Sequence, residues 1–285
     1  GYSLLTVPQP SQKLVHIHPC ADELHRVYRA DLAICATADA AAHSLQDLVP
    51  PTAVRWATWA QAVHADYDAN LMPEALPGLD PTSEGSVDMP AIVAELQRQL
   101  PADAVLTNGA GNFASWTHRY FRYHGLAKGH KTQLAPTNGA MGYGIPAAVA
   151  ANLTTGRVAF TISGDGDFLM NGQELATAAQ HGAKLIVLLL NNGMYGTIRM
   201  HQEREYPQRV SGTTLINPDF CALARAYGMH AEPVKDAAEF KEALRAALGR
   251  EQGTLIEIKL SPEVISTRVT LGAITQQALQ RTRFS

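Results

Sequence analysis

Residues 158–197 read VAFTISGDGDFLMNGQELATAAQHGAKLIVLLLNNGMYGT. An apolar run, 158–162, breaks into Ser163-Gly164-Asp165-Gly166-Asp167; a helix is expected from about 171 to 181, and a second apolar run, 185–190, ends in Asn191-Asn192-Gly193. Strand, helix and strand in this order make a βαβ unit, so the strands run parallel and their carboxyl ends are neighbours. Asp165 ends one strand and Asn192, 192 − 165 = 27 positions on, ends the other. Two hard oxygen ligands then meet at one edge, beside glycines that let backbone approach a ligand closely. The pattern fits a site for Mg²⁺ and a diphosphate.

The remaining sequence bounds the reading from outside. With 285 residues the chain can bury a full core, and its 46% hydrophobic and 17% charged residues are those of a water-soluble globular protein. A formal net charge of −3 points to neither nucleic acid nor a membrane as partner. Cys20, Cys35 and Cys221 are too far apart for a zinc or redox motif, and an odd number argues against a disulfide framework, so a cytoplasmic location is expected. No signal-like segment opens the chain and no apolar run approaches membrane-spanning length. Gly1-Tyr2-Ser3-Leu4-Leu5 has no recognisable start, and sequence upstream is expected.

Taken in order, 13–17 and 31–35 read as short strands and 38–48 as a helix, a core too small for a domain. A helix is expected over 56–68, with Trp59, Val63 and Tyr67 three to four positions apart, followed by an extended stretch rich in Pro, Gly, Ser and Asp over 72–90. A larger domain then opens with a helix over 90–100. A strand at 104–107 breaks at Asn108-Gly109-Ala110-Gly111-Asn112, a helix follows over 113–120, and 133–135 is extended. Gly139 to Gly144 form a glycine-rich loop leading into a helix over 145–152. Past the βαβ unit, 200–212 reads as polar and irregular, 218–227 as a helix capped by Asn217, 237–248 as a helix and 254–258 as a strand. Strands alternating with helices give an α/β fold, a doubly wound parallel sheet flanked by helices, preceded by a remnant of a second α/β domain. The expected domains are 1–50 as that remnant, 51–89 as linker and 90–285 as the ligand-binding domain.

Open parallel sheets bind ligands beyond the carboxyl ends of their strands, and helix amino ends favour phosphate. Each glycine-bearing break, at 108–113, 139–144 or 164–167, can alone be an ordinary strand-to-helix turn; a lone Gly-Asp-Gly reads equally well either way, and Gly139-Ala140-Met141-Gly142 alone reads as helix packing before ligand contact. Together, Gly-Asp-Gly followed by a helix, an apolar strand and Asn-Asn at fixed spacing resembles the thiamine-diphosphate-dependent enzymes, in particular the acetolactate synthase and benzoylformate decarboxylase group. The resemblance covers the whole chain, with 90–260 similar to the diphosphate-binding domain and 1–50 to the end of the family's middle domain.

That resemblance implies thiamine diphosphate and Mg²⁺ as cofactors, and leaves FAD open. It implies Asp165, Asn192 and the backbone carbonyl of Met194 as Mg²⁺ ligands. Asn112 and Phe113 fall where the family touches the diphosphate, although acetolactate synthases usually carry Gln-His there. Gly164, Gly166, Asp167, Tyr195, Gly196 and Thr197 line the same pocket. Gly139 offers a carbonyl to the aminopyrimidine, Ala140 follows it, and Met141 is the apolar wedge that bends the cofactor. The glutamate that activates the pyrimidine lies in the family on an amino-terminal domain with no counterpart here. No catalytic residue is therefore expected in this chain, which alone is expected to be inactive; Glu174 reads as a helix or interface contact. His201 stands where acetolactate synthases have tryptophan, and is either a substrate contact or a solvated histidine on a loop. His16, His18, His118, His124 and His181 show no ligand spacing, and Arg119, Arg122 and Lys128 read as a solvated basic face.

The implied activity is decarboxylation of a small-molecule 2-oxo acid, with or without carbon–carbon bond formation, in a homodimer or homotetramer. Two alternatives remain: a non-catalytic cofactor-binding fragment, and an unrelated nucleotide-binding α/β domain, which requires Asp165 and Asn192 to lie far apart.

Overall fold

A computed structural model describes residues 4–123, Gly125, Gly129 and 131–283. His124 and Lys128 lie outside the described residues. The chain divides into two compact units, 1–64 and 65–285.

The larger unit is built on β3 (Val105–Asn108), β4 (Gln133–Leu134), β5 (Ala159–Gly164), β6 (Leu185–Asn191), β7 (His230–Val234) and β8 (Thr254–Lys259). They form one sheet in the order β4-β3-β5-β6-β8-β7, with every pairing parallel. The expected βαβ unit is present, with Gly164 of β5 opposite Leu190 of β6. Successive side chains on a strand point to opposite faces, so an uninterrupted apolar run must be covered twice. Ile186, Leu188 and Leu190 pack on one face with α3 (Met89–Gln99), α4 (Ala114–Tyr120) and α10 (Ala237–Gly249). Leu185, Val187 and Leu189 pack on the other with α5 (Gly144–Thr155), α7 (Leu175–His181) and α9 (Phe220–Ala226). The sheet is thus doubly wound.

Strand order places the ligand edge. The chain leaves β3 towards β4 on one side and leaves β5 towards β6 on the other. The first connection passes α4 on one face, and the second passes α7 on the opposite face. Diverging connections open a crevice at the carboxyl ends of β3 and β5, where the breaks after Asn108 and Gly164 lie.

Several local expectations need correction. The helix after β5 starts at Asp165, as α6 (Asp165–Asn171), passes through a tight turn at Gly172–Glu174 and continues as α7, so Gly-Asp-Gly spans its opening turn. Acidic residues suit a helix's positive amino end, which offsets the poor helix propensity of glycine and aspartate. Only the first part of the stretch 200–212 needs correction: α8 (Gly196–Glu205) covers 200–205 and carries His201, while 206–212 has no regular helix or strand. The cap of α9 is Asp219, which accepts from the Ala222 amide at 2.8 Å, and not Asn217. β7 and α11 (Leu271–Arg283) were not anticipated. Nor is Arg119 solvated: only 8% exposed, it donates to the carbonyls of Asn70 at 2.8 Å and Thr267 at 2.6 Å. Arg122 is exposed and donates to Asp68 at 3.0 Å.

In the smaller unit β1 (Val15–His18) and β2 (Leu32–Cys35) pair in parallel, and α1 (Ala38–Gln46) is capped by the Thr37 hydroxyl. No residue of these three elements is buried. α2 (Ala57–Asn70) runs across the division between the units. Among the described residues no helix is long and apolar enough to cross a membrane.

Candidate functional site

Three glycine-bearing breaks meet in the crevice, and the Asp167 carboxylate joins them. Asp167 is 2% exposed; its Oδ1 accepts from the amides of Ala110 at 3.1 Å and Gly142 at 2.8 Å, and its Oδ2 from the Ser163 hydroxyl at 2.6 Å. Gly109 has to be glycine for this arrangement, because a Cβ there would lie 1.9 Å from Asp167 Oδ1. Gly142 has φ +78°, which side chains rarely adopt, and its carbonyl accepts from Asn171 at 3.1 Å. The loops after β3 and before α5 are therefore tied to the opening turn of α6 by one side chain.

Asp165, also 2% exposed, faces the second strand end. Its Oδ2 accepts from the Gly193 amide at 2.8 Å and from Asn217 Nδ2 at 2.7 Å, while among the described residues Oδ1 takes the Gly166 amide alone, at 2.9 Å. Burial pushes both the Asp165 and Asp167 carboxyls above the usual range, and the hydrogen bonds they accept oppose that rise. Asn192, 27 positions after Asp165 as expected, lines the same cavity, and its carboxamide makes no hydrogen bond among the described residues. Met194 forms a lone antiparallel bridge with Thr214, flanked by bonds from Tyr195 N to Thr213 O at 2.9 Å and from Leu215 N to Gly193 O at 2.8 Å. In such a pair the middle residue's own carbonyl points away from the partner segment. One carboxylate oxygen, one carboxamide and one carbonyl are thus left as oxygen donors. Among the described residues no cluster of three or more His, Cys, Asp or Glu side chains could hold a metal by itself. The donors fit Mg²⁺, which uses one or two carboxylates and completes its shell with water and phosphate oxygens.

α8 opens on this cavity without a side-chain cap. Its first amides have no partner within the helix, and such orphan donors suit an anion. Thr197 on that turn locks Asn112 in place: its hydroxyl accepts from the Asn112 amide at 2.9 Å and donates to Asn112 Oδ1 at 3.1 Å. Phe113 lies against Gly111 and Gly164, where added Cβ atoms would come within 2.7 and 2.8 Å of its ring.

The cavity encloses about 250 Å³. Asn112, Phe113, Gly139, Met141, Gly164, Asp165, Gly166, Asp167, Asn192, Met194, Tyr195, Gly196 and Thr197 all line it. Ala140 does not; it is exposed, and its amide donates to Asn138 Oδ1 at 3.2 Å. His201 is exposed on α8 and is not part of the lining, and neither is Glu174, which accepts from Thr177 at 2.7 Å. The sequence reading missed Trp116, Ile198 and the segment beyond β8, with Leu260, Val264 and Ile265. That segment was within reach: β8 was recognised, and every strand of a parallel sheet empties at the same edge. It also missed Asn217, whose contacts lie far away in sequence.

This edge is a crevice at the strand ends of an open α/β sheet, lined by glycines and by residues whose chemistry fits a phosphate and a cation. Residues 109–258 match the family described as "Thiamine pyrophosphate enzyme, C-terminal TPP binding domain". That is more than half of the chain, and the chain belongs to this family. It is similar to the acetolactate synthase large subunit of Parasynechococcus marenigrum, with 30% identity over 258 residues, 87% of this chain and 39% of that protein. It is also similar to the acetolactate synthase isozyme 2 large subunit of Escherichia coli, with 32% identity over 202 residues, 67% of this chain and 35% of that protein. A probable acetolactate synthase large subunit of Methanocaldococcus jannaschii is 27% identical over 263 residues, 89% of this chain and 43% of that protein. The chain spans less than half the length of each of these relatives. With family membership established and Asp165 and Asn192 on one cavity, the unrelated nucleotide-binding reading is excluded.

Proposed function

We propose that this chain holds Mg²⁺ and the diphosphate of thiamine diphosphate in an acetolactate-synthase-like enzyme acting on 2-oxo acids. The observation that carries the reading is that Asp165, Asn192 and Met194 line one cavity beside the uncapped start of α8. The cation neutralises phosphate charge next to a buried carboxylate, and the α8 amides take the remaining phosphate oxygens. When bound, thiamine diphosphate supplies the nucleophilic carbon and electron sink for decarboxylation. This chain's part is to bind and to orient. Gly139 offers a carbonyl to the aminopyrimidine, and Met141, 36% exposed at the cavity rim, wedges the cofactor's two rings.

Residues 90–285 then form the cofactor domain, 51–89 a linker and 1–50 the end of a further domain. The whole enzyme decarboxylates a 2-oxo acid with or without carboligation, as a cytoplasmic homodimer or homotetramer. A second reading is a cofactor-binding role without turnover by this chain alone, which spans less than half the length of the relatives it matches. Calorimetry with thiamine diphosphate and Mg²⁺ is expected to show binding that Asp165→Ala removes. Unchanged binding by that variant would sink the site. Release of CO₂ from pyruvate or benzoylformate by this chain alone would refute the non-catalytic reading.

A further inference from the structure

Asp165 ends a hydrogen-bonded chain that runs away from the cavity into the sheet. Asn217 Nδ2 lies 2.7 Å from Asp165 Oδ2 and 2.9 Å from Asn191 Oδ1. Asn191 Nδ2 donates in turn to Glu257 Oε1 at 2.8 Å, and the Cys221 thiol lies 3.6 Å from Glu257 Oε2. Five parts of the fold contribute: the first turn of α6, the segment before α9, the end of β6, the middle of β8 and, through Cys221, the start of α9. Glu257 is 5% exposed, a carboxylate buried in a parallel strand with no function assigned to it so far.

Donation runs outward from the Asn217 amino group, to Asp165 on one side and through Asn191 to Glu257 on the other. Ionised carboxylates only accept, so Asp165 requires the amino side of the Asn217 carboxamide, and Glu257 requires the amino side of Asn191. Asn191 therefore presents its oxygen to Asn217, and the same oxygen accepts from the Gly193 amide at 3.2 Å. The Asn217 side-chain oxygen is buried and has no partner among the described residues. Turning that amide over would set its oxygen against two acceptor oxygens, so the two bonds hold the unpaired orientation in place.

The outcome at Asp165 is asymmetric. Oδ2 is filled by Gly193 and Asn217, whereas among the described residues Oδ1 accepts from the adjacent Gly166 amide alone. We propose that Asn217 is a positioning residue: through Asn191 and Glu257 it fixes the Asp165 carboxylate with Oδ1 turned to a divalent cation, and so sets the cation affinity of the site. This rests on the reading of Asp165 as a Mg²⁺ ligand. Groups that orient a metal ligand from behind commonly contribute about 10–100-fold in metal affinity.

The test is titration of Mg²⁺ into the full 285-residue chain with thiamine diphosphate, read by calorimetry beside apo-protein melting curves. Asn217→Ala is expected to weaken Mg²⁺ binding about 10–100-fold. Asp219→Ala, which removes the α9 cap from the same segment, is expected to lower the melting temperature and keep the affinity. Wild-type affinity in Asn217→Ala, or an equal loss in Asp219→Ala, overturns the proposal. Glu257→Ala never touches the cation and is expected to weaken it too, and Asn217→Ala/Glu257→Ala to lose no more than the worse single variant. Multiplied losses in the double variant would show two independent effects and refute the chain. If Asp165→Ala binds as wild type, the cofactor site itself is wrong; if it loses binding and Asn217→Ala does not, only this inference fails.

Discussion

Replacing Gly109 with alanine tests whether one carboxylate assembles the crevice. The new methyl group would stand 1.9 Å from Asp167 Oδ1 and 2.3 Å from Oδ2, far inside contact distance, so the carboxylate has to leave. Oδ1 holds the amides of Ala110 and Gly142. Hydrogen bonds to charged groups contribute about 1.5–3 kcal/mol each, so losing both costs about 3–6 kcal/mol before relaxation. Gly→Ala returns roughly 0.4–1 kcal/mol by restricting the unfolded chain. A net destabilisation of about 2 kcal/mol or more is expected in urea unfolding, followed through the fluorescence of buried Trp116 on α4. Thiamine diphosphate affinity should fall with it, because the loops after β3 and before α5 lose their common anchor. The decisive control is Asp167→Gly, which opens the space. In that background Gly109→Ala should cost within about 0.5 kcal/mol of nothing. A cost below about 1 kcal/mol for Gly109→Ala alone, or full additivity in the double variant, would refute the reasoning.

Gly164→Ala places a methyl group 2.8 Å from the Phe113 ring and is expected to lower cofactor affinity about tenfold, near 1.4 kcal/mol; unchanged affinity in calorimetry would show that the ring moves freely. Cys20 and Cys35 are exposed, whereas burial and the neighbouring Glu257 carboxylate push the Cys221 thiol up to about 12, so a thiol reagent at pH 8 should modify two cysteines at once and the third only after denaturation. Fast modification of all three would contradict the packing of α9. Burial alone would raise the Glu203 carboxyl, but bonds from the Gln208 amide, the Thr275 hydroxyl and Arg199 outweigh it and hold that carboxyl below its ordinary value of 4.5. A depressed pKa stabilises the fold above the unfolded value and loses that contribution as pH falls below it. Wild type should therefore lose more stability than Glu203→Gln as pH drops from about 5; parallel melting curves would refute this.

Legibility in the sequence followed how local each signal is. The run Leu185 to Leu190 announces a doubly covered strand because neither face meets water. β7, with Glu232 and Pro233 and a mixed burial pattern, is an edge strand, where proline is tolerated and alternation is weak. α8 is polar almost throughout; its anchor is Glu203, bonded to Thr275 on α11 at 2.9 Å, and no apolar stripe advertises it. In the candidate site, glycine breaks and the 27-residue spacing were readable because strand ends carry them. The use of Asp167 for tying loops, and of Asn217 for bracing Asp165, depends on partners 25 to 57 positions away, which no local pattern encodes. Arg119 shows the converse: three nearby basic residues suggested a wet surface, and folding buried one of them against backbone carbonyls.

Because all six strands of the larger unit run the same way, its sheet has a working rim and an idle one. The turns at 101–104, 156–158, 182–184 and 250–253 only return the chain to the start of a strand. An immobilising tether placed there, for instance at exposed Gln252, would leave the crevice facing the solution. The same attachment through the 139–144 loop would block it. For a sensor surface or a resin, orientation can be chosen from strand direction alone.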